Sequence, residues 1–106
     1  MVEERVIKAQ RVKELIPSEN LPHVIELAKQ RMRAEQKFVK SRKVVEERIN
    51  RCLVVFDFMY NGSTLKNAGE AIGASRERTR QIEAKVCLTI MKCYKIYKRS
   101  QKHGRI

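Results

Sequence analysis

An all-α fold is predicted by three features of this 106-residue chain. Apolar residues recur at the 3.6-residue period along each long segment, only two prolines and four glycines interrupt it, and the single sheet-prone run has no partner strand. Hydrophobic residues at 42% and charged residues at 34% are enough to drive burial, which separates the chain from disordered sequences. The expected architecture is a helix-turn-helix domain preceded by two N-terminal helices. Residues 1–40 form the helical extension, a candidate dimer or partner surface, and residues 41–106 form the domain that carries the motif.

Val2, Val6, Ala9, Val12 and Ile16 share one helix face, and Pro17 ends that helix. Ser18 or Asn20 can cap the second helix, with Pro22 in its first turn. Its stripe runs through Val24, Ala28, Met32, Glu35 and Phe38 or Val39. The opposite face (Glu26, Lys29, Arg31, Arg33, Lys37, Lys40) reads as solvated, with a second nucleic-acid contact as the alternative. A break is expected around Ser41. Val45, Ile49, Cys52, Leu53, Phe56, Met59 and Tyr60 then trace a third helix over residues 44–60, which Asn61-Gly62 stops. Ser63 is the expected cap of a short fourth helix reaching Ile72, and Gly73-Ala74-Ser75 is a turn. Ser75 caps a long last helix with core face Thr79, Ile82, Val86, Ile90, Cys93 and Tyr97. Residues 98–106 (KRSQKHGRI) are expected to fray as a basic tail.

The formal net charge is +12, which points to an anionic partner such as nucleic acid. The charge is uneven: residues 76–106 hold ten Lys and Arg against two acids, so the last third dominates the field. Three cysteines, Cys52, Cys87 and Cys93, form no CxxC pair, and His23 and His103 lie far from them in sequence. No metal site and no cofactor are expected, and the thiols read as small buried hydrophobes in a reducing cytoplasm. The first ten residues, MVEERVIKAQ, are charged throughout and do not read as a signal peptide. The longest apolar run, residues 53–56, is too short to span a bilayer, so no membrane partner is expected.

The motif is a short helix, a three-residue turn and a second helix. Two such helices must approach closely, which calls for a small residue at the contact: Gly69. The turn needs a residue at ease with positive φ, which Gly73 supplies. Ile72 and Ile82 fill the wedge, and Leu65 faces the preceding helix. The second helix opens Arg76-Glu77-Arg78-Thr79-Arg80-Gln81. With its apolar residues inward, its first two turns present side chains that read base edges in a major groove: arginine to guanine, glutamine to adenine, glutamate to cytosine. Its N-terminus and arginines also suit phosphates.

The run TLKNAGEAIGASRERTRQIEAK, residues 64–85, closely resembles the promoter-binding C-terminal domain of bacterial primary sigma factors. Arg76-Glu77-Arg78, then Arg80-Gln81-Ile82-Glu83-Ala84-Lys85, match the family's recognition helix without a gap. The strong match covers about a quarter of the chain; residues 44–60 match loosely. The resemblance implies a fold of sigma C-terminal type and double-stranded DNA as partner, with Arg76, Glu77 and Gln81 reading bases. Thr64, Arg78, Arg80 and Lys85 are implied near phosphates, Arg80 and Lys85 also as a surface for activators. It further implies contact with the flap of the RNA polymerase β subunit, for which Val54, Val55 and Phe58 are the candidates; the alternative packs them against the N-terminal helices. Thr79 departs from the family, which places a branched apolar residue there. The chain has no tryptophan and no aromatic-rich segment to capture melted DNA, so it is not a complete sigma factor.

The leading functional expectation is a sequence-specific transcription regulator, its size suggesting a bacteriophage or mobile-element gene, that reads a promoter-like element together with RNA polymerase. The alternative is a polymerase-binding mimic of the sigma domain, or an antitermination factor of the phage Q type. A charge-only coat on nucleic acid conflicts with the concentrated motif. An enzyme is not expected, because no paired carboxylates, catalytic triad or phosphate-cradling glycine loop is present.

Overall fold

The structure, a computed structural model, describes the backbone of residues 7–103 and the side-chain exposure of residues 7–101. Val2, Val6 and residues 104–106 of the expected tail lie outside the described residues. Five helices follow one another: α1 (Ala9–Leu15), α2 (Leu21–Glu35), α3 (Arg42–Tyr60), α4 (Leu65–Ile72) and α5 (Arg76–His103).

The first stripe holds. Ala9, Val12 and Ile16 are almost fully buried, and Pro17 follows directly. The start of α1 is capped from outside its own sequence. Lys8, at the N-cap position, offers no side-chain bond; instead the Ala9 N–H donates to Oε2 of Glu83, a residue only 4% exposed, at 3.0 Å. A buried carboxyl oxygen at a helix N-terminus satisfies an orphan donor there. Glu83→Ala is therefore expected to cost about 1–2 kcal/mol of stability, because the Ala9 N–H loses its partner. Chemical denaturation measures this, and Glu83→Gln, which retains an acceptor, should recover part of the loss.

Asn20 is the N-cap of α2, as one of the two expected residues, but its side chain makes no cap bond. Pro22 sits in the first turn, where a missing N–H is harmless. Val24, Ala28 and Met32 are buried, so the apolar face of α2 is spent inside the chain. The helix ends at Glu35, sooner than the stripe to Phe38 suggested. Phe38 is 87% exposed in the following turn, while Val39 still packs on the core. Ser41 breaks the chain as expected and caps α3 by accepting from the Val44 N–H at 3.3 Å. Much of the charged face of α2 is paired: Lys29 with Glu26, Arg31 with Glu35, and Arg33 with Glu46 of α3 through two bonds of 2.7 and 3.0 Å.

Two turns flank α4, and both use glycine. At the end of α3, Ser63 N–H reaches Phe58 C=O and Gly62 N–H reaches Met59 C=O, with Gly62 at φ 84°. At the end of α4, Ala74 N–H reaches Gly69 C=O at 2.9 Å and Gly73, at φ 68°, reaches Glu70 C=O at 3.4 Å. This paired bonding with a left-handed glycine closes orphan carbonyls and reverses the chain. Ser63 is consumed in the first turn, so the cap of α4 moves one residue to Thr64, whose Oγ1 accepts from the Asn67 N–H at 3.1 Å.

One core cluster draws on α1, α2, α3 and α5, from Ala9 to Cys93, so among the described residues α1 and α2 share an interior with α3 and α5. A second buried patch lies outside that cluster: Val55, Ala68 and Ile82, where α3, α4 and α5 meet. The expected frayed tail is corrected. Helix α5 runs on to His103, because residues 98–103 carry no glycine or proline and are mostly good helix formers. Its 28 residues span about 42 Å. Two cysteines on α5 are buried; burial pushes the Cys87 thiol up to about 12. A thiol reagent on the native protein should therefore react at half-buried Cys52 first, with Cys87 and Cys93 labelled only at the rate of unfolding. Labelling followed by peptide mass analysis checks this.

Candidate nucleic-acid interface

The junction of α4 and α5 is set by Gly69. A Cβ at this position would lie 2.8 Å from the Ala74 carbonyl oxygen and 2.9 Å from Thr79 Oγ1. Thr79 is fully buried, and its hydroxyl donates to the Ser75 carbonyl at 2.7 Å, which is how a polar residue occupies an apolar position. Ile82 is 6% exposed beneath the junction, while Leu65 and Ile72 are only half-buried at its edges. Gly73 is exposed, and its role is conformational.

Ser75 caps α5, its Oγ accepting from the Arg78 N–H at 3.1 Å. That fixes where the helix begins and which residues face out. Thr79, Ile82 and Glu83 turn inward, while Arg76, Glu77, Arg78, Arg80, Gln81 and Lys85 are all exposed. Glu83, inside the run 64–85, thus serves α1, and no local sequence pattern marks a contact made across 74 residues.

The exposed residues fall into three groups. Thr64 and Arg76 share a groove of about 480 Å³ between α4 and the head of α5, with Lys66 beside them. Glu77, Arg80 and Gln81 bind one another: Arg80 Nη2 and Nε donate to the Glu77 carboxylate at 2.6 and 3.0 Å, and Gln81 Nε2 donates to Oε2 at 3.3 Å. The Arg80 hydrogen bonds hold the Glu77 carboxyl below its ordinary range, so it is ionised at neutral pH. A carboxylate only accepts, so the amide nitrogen of Gln81 faces Glu77. Arg78, Gln81 and Lys85 repeat at helical spacing and line a cleft against α3. Arg80 is thus engaged by Glu77 and stands apart from the other implied phosphate contacts.

The three residues offered as a polymerase grip separate. Val54 and Phe58 are half-buried and keep exposed surface. Val55 is fully buried and is corrected as a contact: no surface of Val55 remains for a partner.

Among the described residues, no three His, Cys, Asp or Glu side chains are grouped to hold a metal ion, and no helix is long and apolar enough to cross a membrane. No protein-family model, curated protein or solved structure matches the chain.

Proposed function

We propose that this chain is a DNA-binding transcription regulator in which α4 and α5 act as a helix-turn-helix of the sigma C-terminal type. The observation that carries the reading is the division of the first two turns of α5. Thr79, Ile82 and Glu83 are buried, and the side chains competent for base and phosphate contacts are exposed on the other faces. Arg76 and Gln81 read base edges. Glu77 joins them, since the clamp on Arg80 and Gln81 leaves a lone pair on Oε1 for a cytosine amino group. Arg78 and Lys85, with Thr64 beside the helix head, sit near the backbone. RNA polymerase is the second partner, met through the exposed parts of Val54 and Phe58.

Footprinting with and without RNA polymerase tests the reading. Protection of a defined duplex segment by the chain, alone or with polymerase, is expected; no protection under either condition contradicts it.

The second reading is a sigma-domain mimic or Q-type antitermination factor that binds polymerase first. Phe38 at 87% and Ile96 at 52% exposure favour it, because large apolar side chains in water suit a protein partner. Capture of polymerase without DNA, unaffected by Arg76→Ala, separates it from the first.

A further inference from the structure

A basic cleft runs alongside the recognition face and draws on three helices. Arg48 and Arg51 of α3 face Arg78 and Lys85 of α5 across it, with Gln36 at the C-terminal end of α2 and Gln81 completing the rim. Its volume is about 540 Å³. Arg48, Arg51, Arg78 and Lys85 are all exposed at its walls, and among the described residues none of the four is in an ion pair. Outside the cleft, Arg11, Lys29, Arg31, Arg33 and Arg80 have a carboxylate within 4 Å and the other described lysines and arginines do not, so what sets the cleft apart is that four unpaired cations converge on one concavity. Arg48 donates only to the neutral Gln36 Oε1, at 3.3 Å. The convergence is felt at the cleft floor, where burial raises the Cys52 thiol and Lys85, Arg78 and Arg51 all pull it back down. Like charges held together without counter-charge cost energy, and an anion seated among them relieves it.

We infer that this cleft is an oligoanion site that takes phosphates of the nucleic-acid backbone, with Arg48 and Arg51 as its contributions from α3. The choice of ligand rests on the proposed DNA reading. Gln81 lines both this cleft and the base-reading face, so a duplex met by α5 brings its backbone to the cleft mouth. Guanidinium groups suit the site because their fixed fork matches phosphate oxygens in pairs. Arg48 and Arg51 then set affinity and register on the duplex, and Arg76 sets sequence preference.

The test compares R48Q/R51Q with a charge-matched control, K8Q/R11Q on the α1 side, by duplex binding at several salt concentrations. The slope of log affinity against log salt is expected to shrink by about 2 in R48Q/R51Q, with the ranking of duplex sequences unchanged and the control close to wild type. An unchanged slope, or an equal change in the control, overturns the site. If the wild-type chain binds no duplex at all, the DNA reading fails and inorganic tripolyphosphate decides the cleft. Binding lost in R48Q/R51Q and kept in the control upholds an oligophosphate site; no binding by wild type overturns it.

Discussion

Gly69→Val is expected to destabilise the fold by about 3 kcal/mol and to abolish DNA binding near the melting transition. Two effects oppose each other at this position. A side chain in place of glycine favours the helix, by up to about 1 kcal/mol for alanine. Against that, the first added carbon already meets the Ala74 carbonyl oxygen at 2.8 Å and Thr79 Oγ1 at 2.9 Å. Neither neighbour can yield. The Ala74 carbonyl is backbone in a turn whose preceding peptide is held by the Ala74 N–H bond to Gly69 C=O, and the Thr79 hydroxyl is bonded to Ser75 in a fully buried position. The clash wins, so Gly69→Ala should also lose stability, about 1 kcal/mol net. Valine adds two more carbons and has a poorer helix propensity. Thermal unfolding reads both: each kcal/mol lowers Tm by about 4–8 °C in a domain of this size. A stabilised Gly69→Ala would mean that α4 and α5 do not approach as closely as described.

Replacing Arg76 or Gln81 with alanine is expected to weaken binding by about 1–3 kcal/mol, and only on duplexes that carry the base pair each side chain reads. Both are exposed, so the fold should be unaffected. On duplexes altered at that base pair, wild type and variant should bind alike, which is the signature of a lost base contact. Titration against a selected duplex and its single-base-pair variants measures this. A uniform drop on all sequences would place the side chain on the backbone instead. Glu77→Gln adds a distinct outcome. It removes the ionised acceptor that Arg80 and Gln81 share, so preference should loosen at the base pair read by Gln81 as well as at its own.

Much of the fold was legible because apolar periodicity and turn residues agree over most of the chain. The third helix, the turn at Gly73 and the Ser75 cap follow from that agreement. Where the two signals part, the structure departs from the sequence reading. Phe38 continues the spacing of Met32, yet the chain has left α2 by then, and a stripe cannot mark its own end without a cap residue. Ser63 and Thr64 are adjacent and equally able to cap; the Gly62 turn decides between them by using Ser63. Val55 lies beside the main stripe of α3, and its burial comes from tertiary packing that no local pattern encodes. Glu83 is the deepest case. It sits in the run that most resembles a DNA reader, yet its bond to Ala9 shows that one of its residues holds the N-terminal helix. The basic cleft is likewise non-local, since Gln36, Arg48 and Lys85 meet only once three helices are packed. Within residues 76–85, one buried stripe fixes the rotation of the helix, which turns Thr79 and Ile82 inward and leaves Arg76, Glu77, Arg78, Arg80, Gln81 and Lys85 outward as the sequence reading has them, with Glu83 the exception.

Amide chemical-shift perturbation on adding a selected duplex tests the central claim most directly. The account predicts that the largest shifts fall on residues 76–81 at the head of α5, with a second set on Arg48 and Arg51. Shifts confined to α1 and α2, with the head of α5 unmoved at saturation, would contradict it.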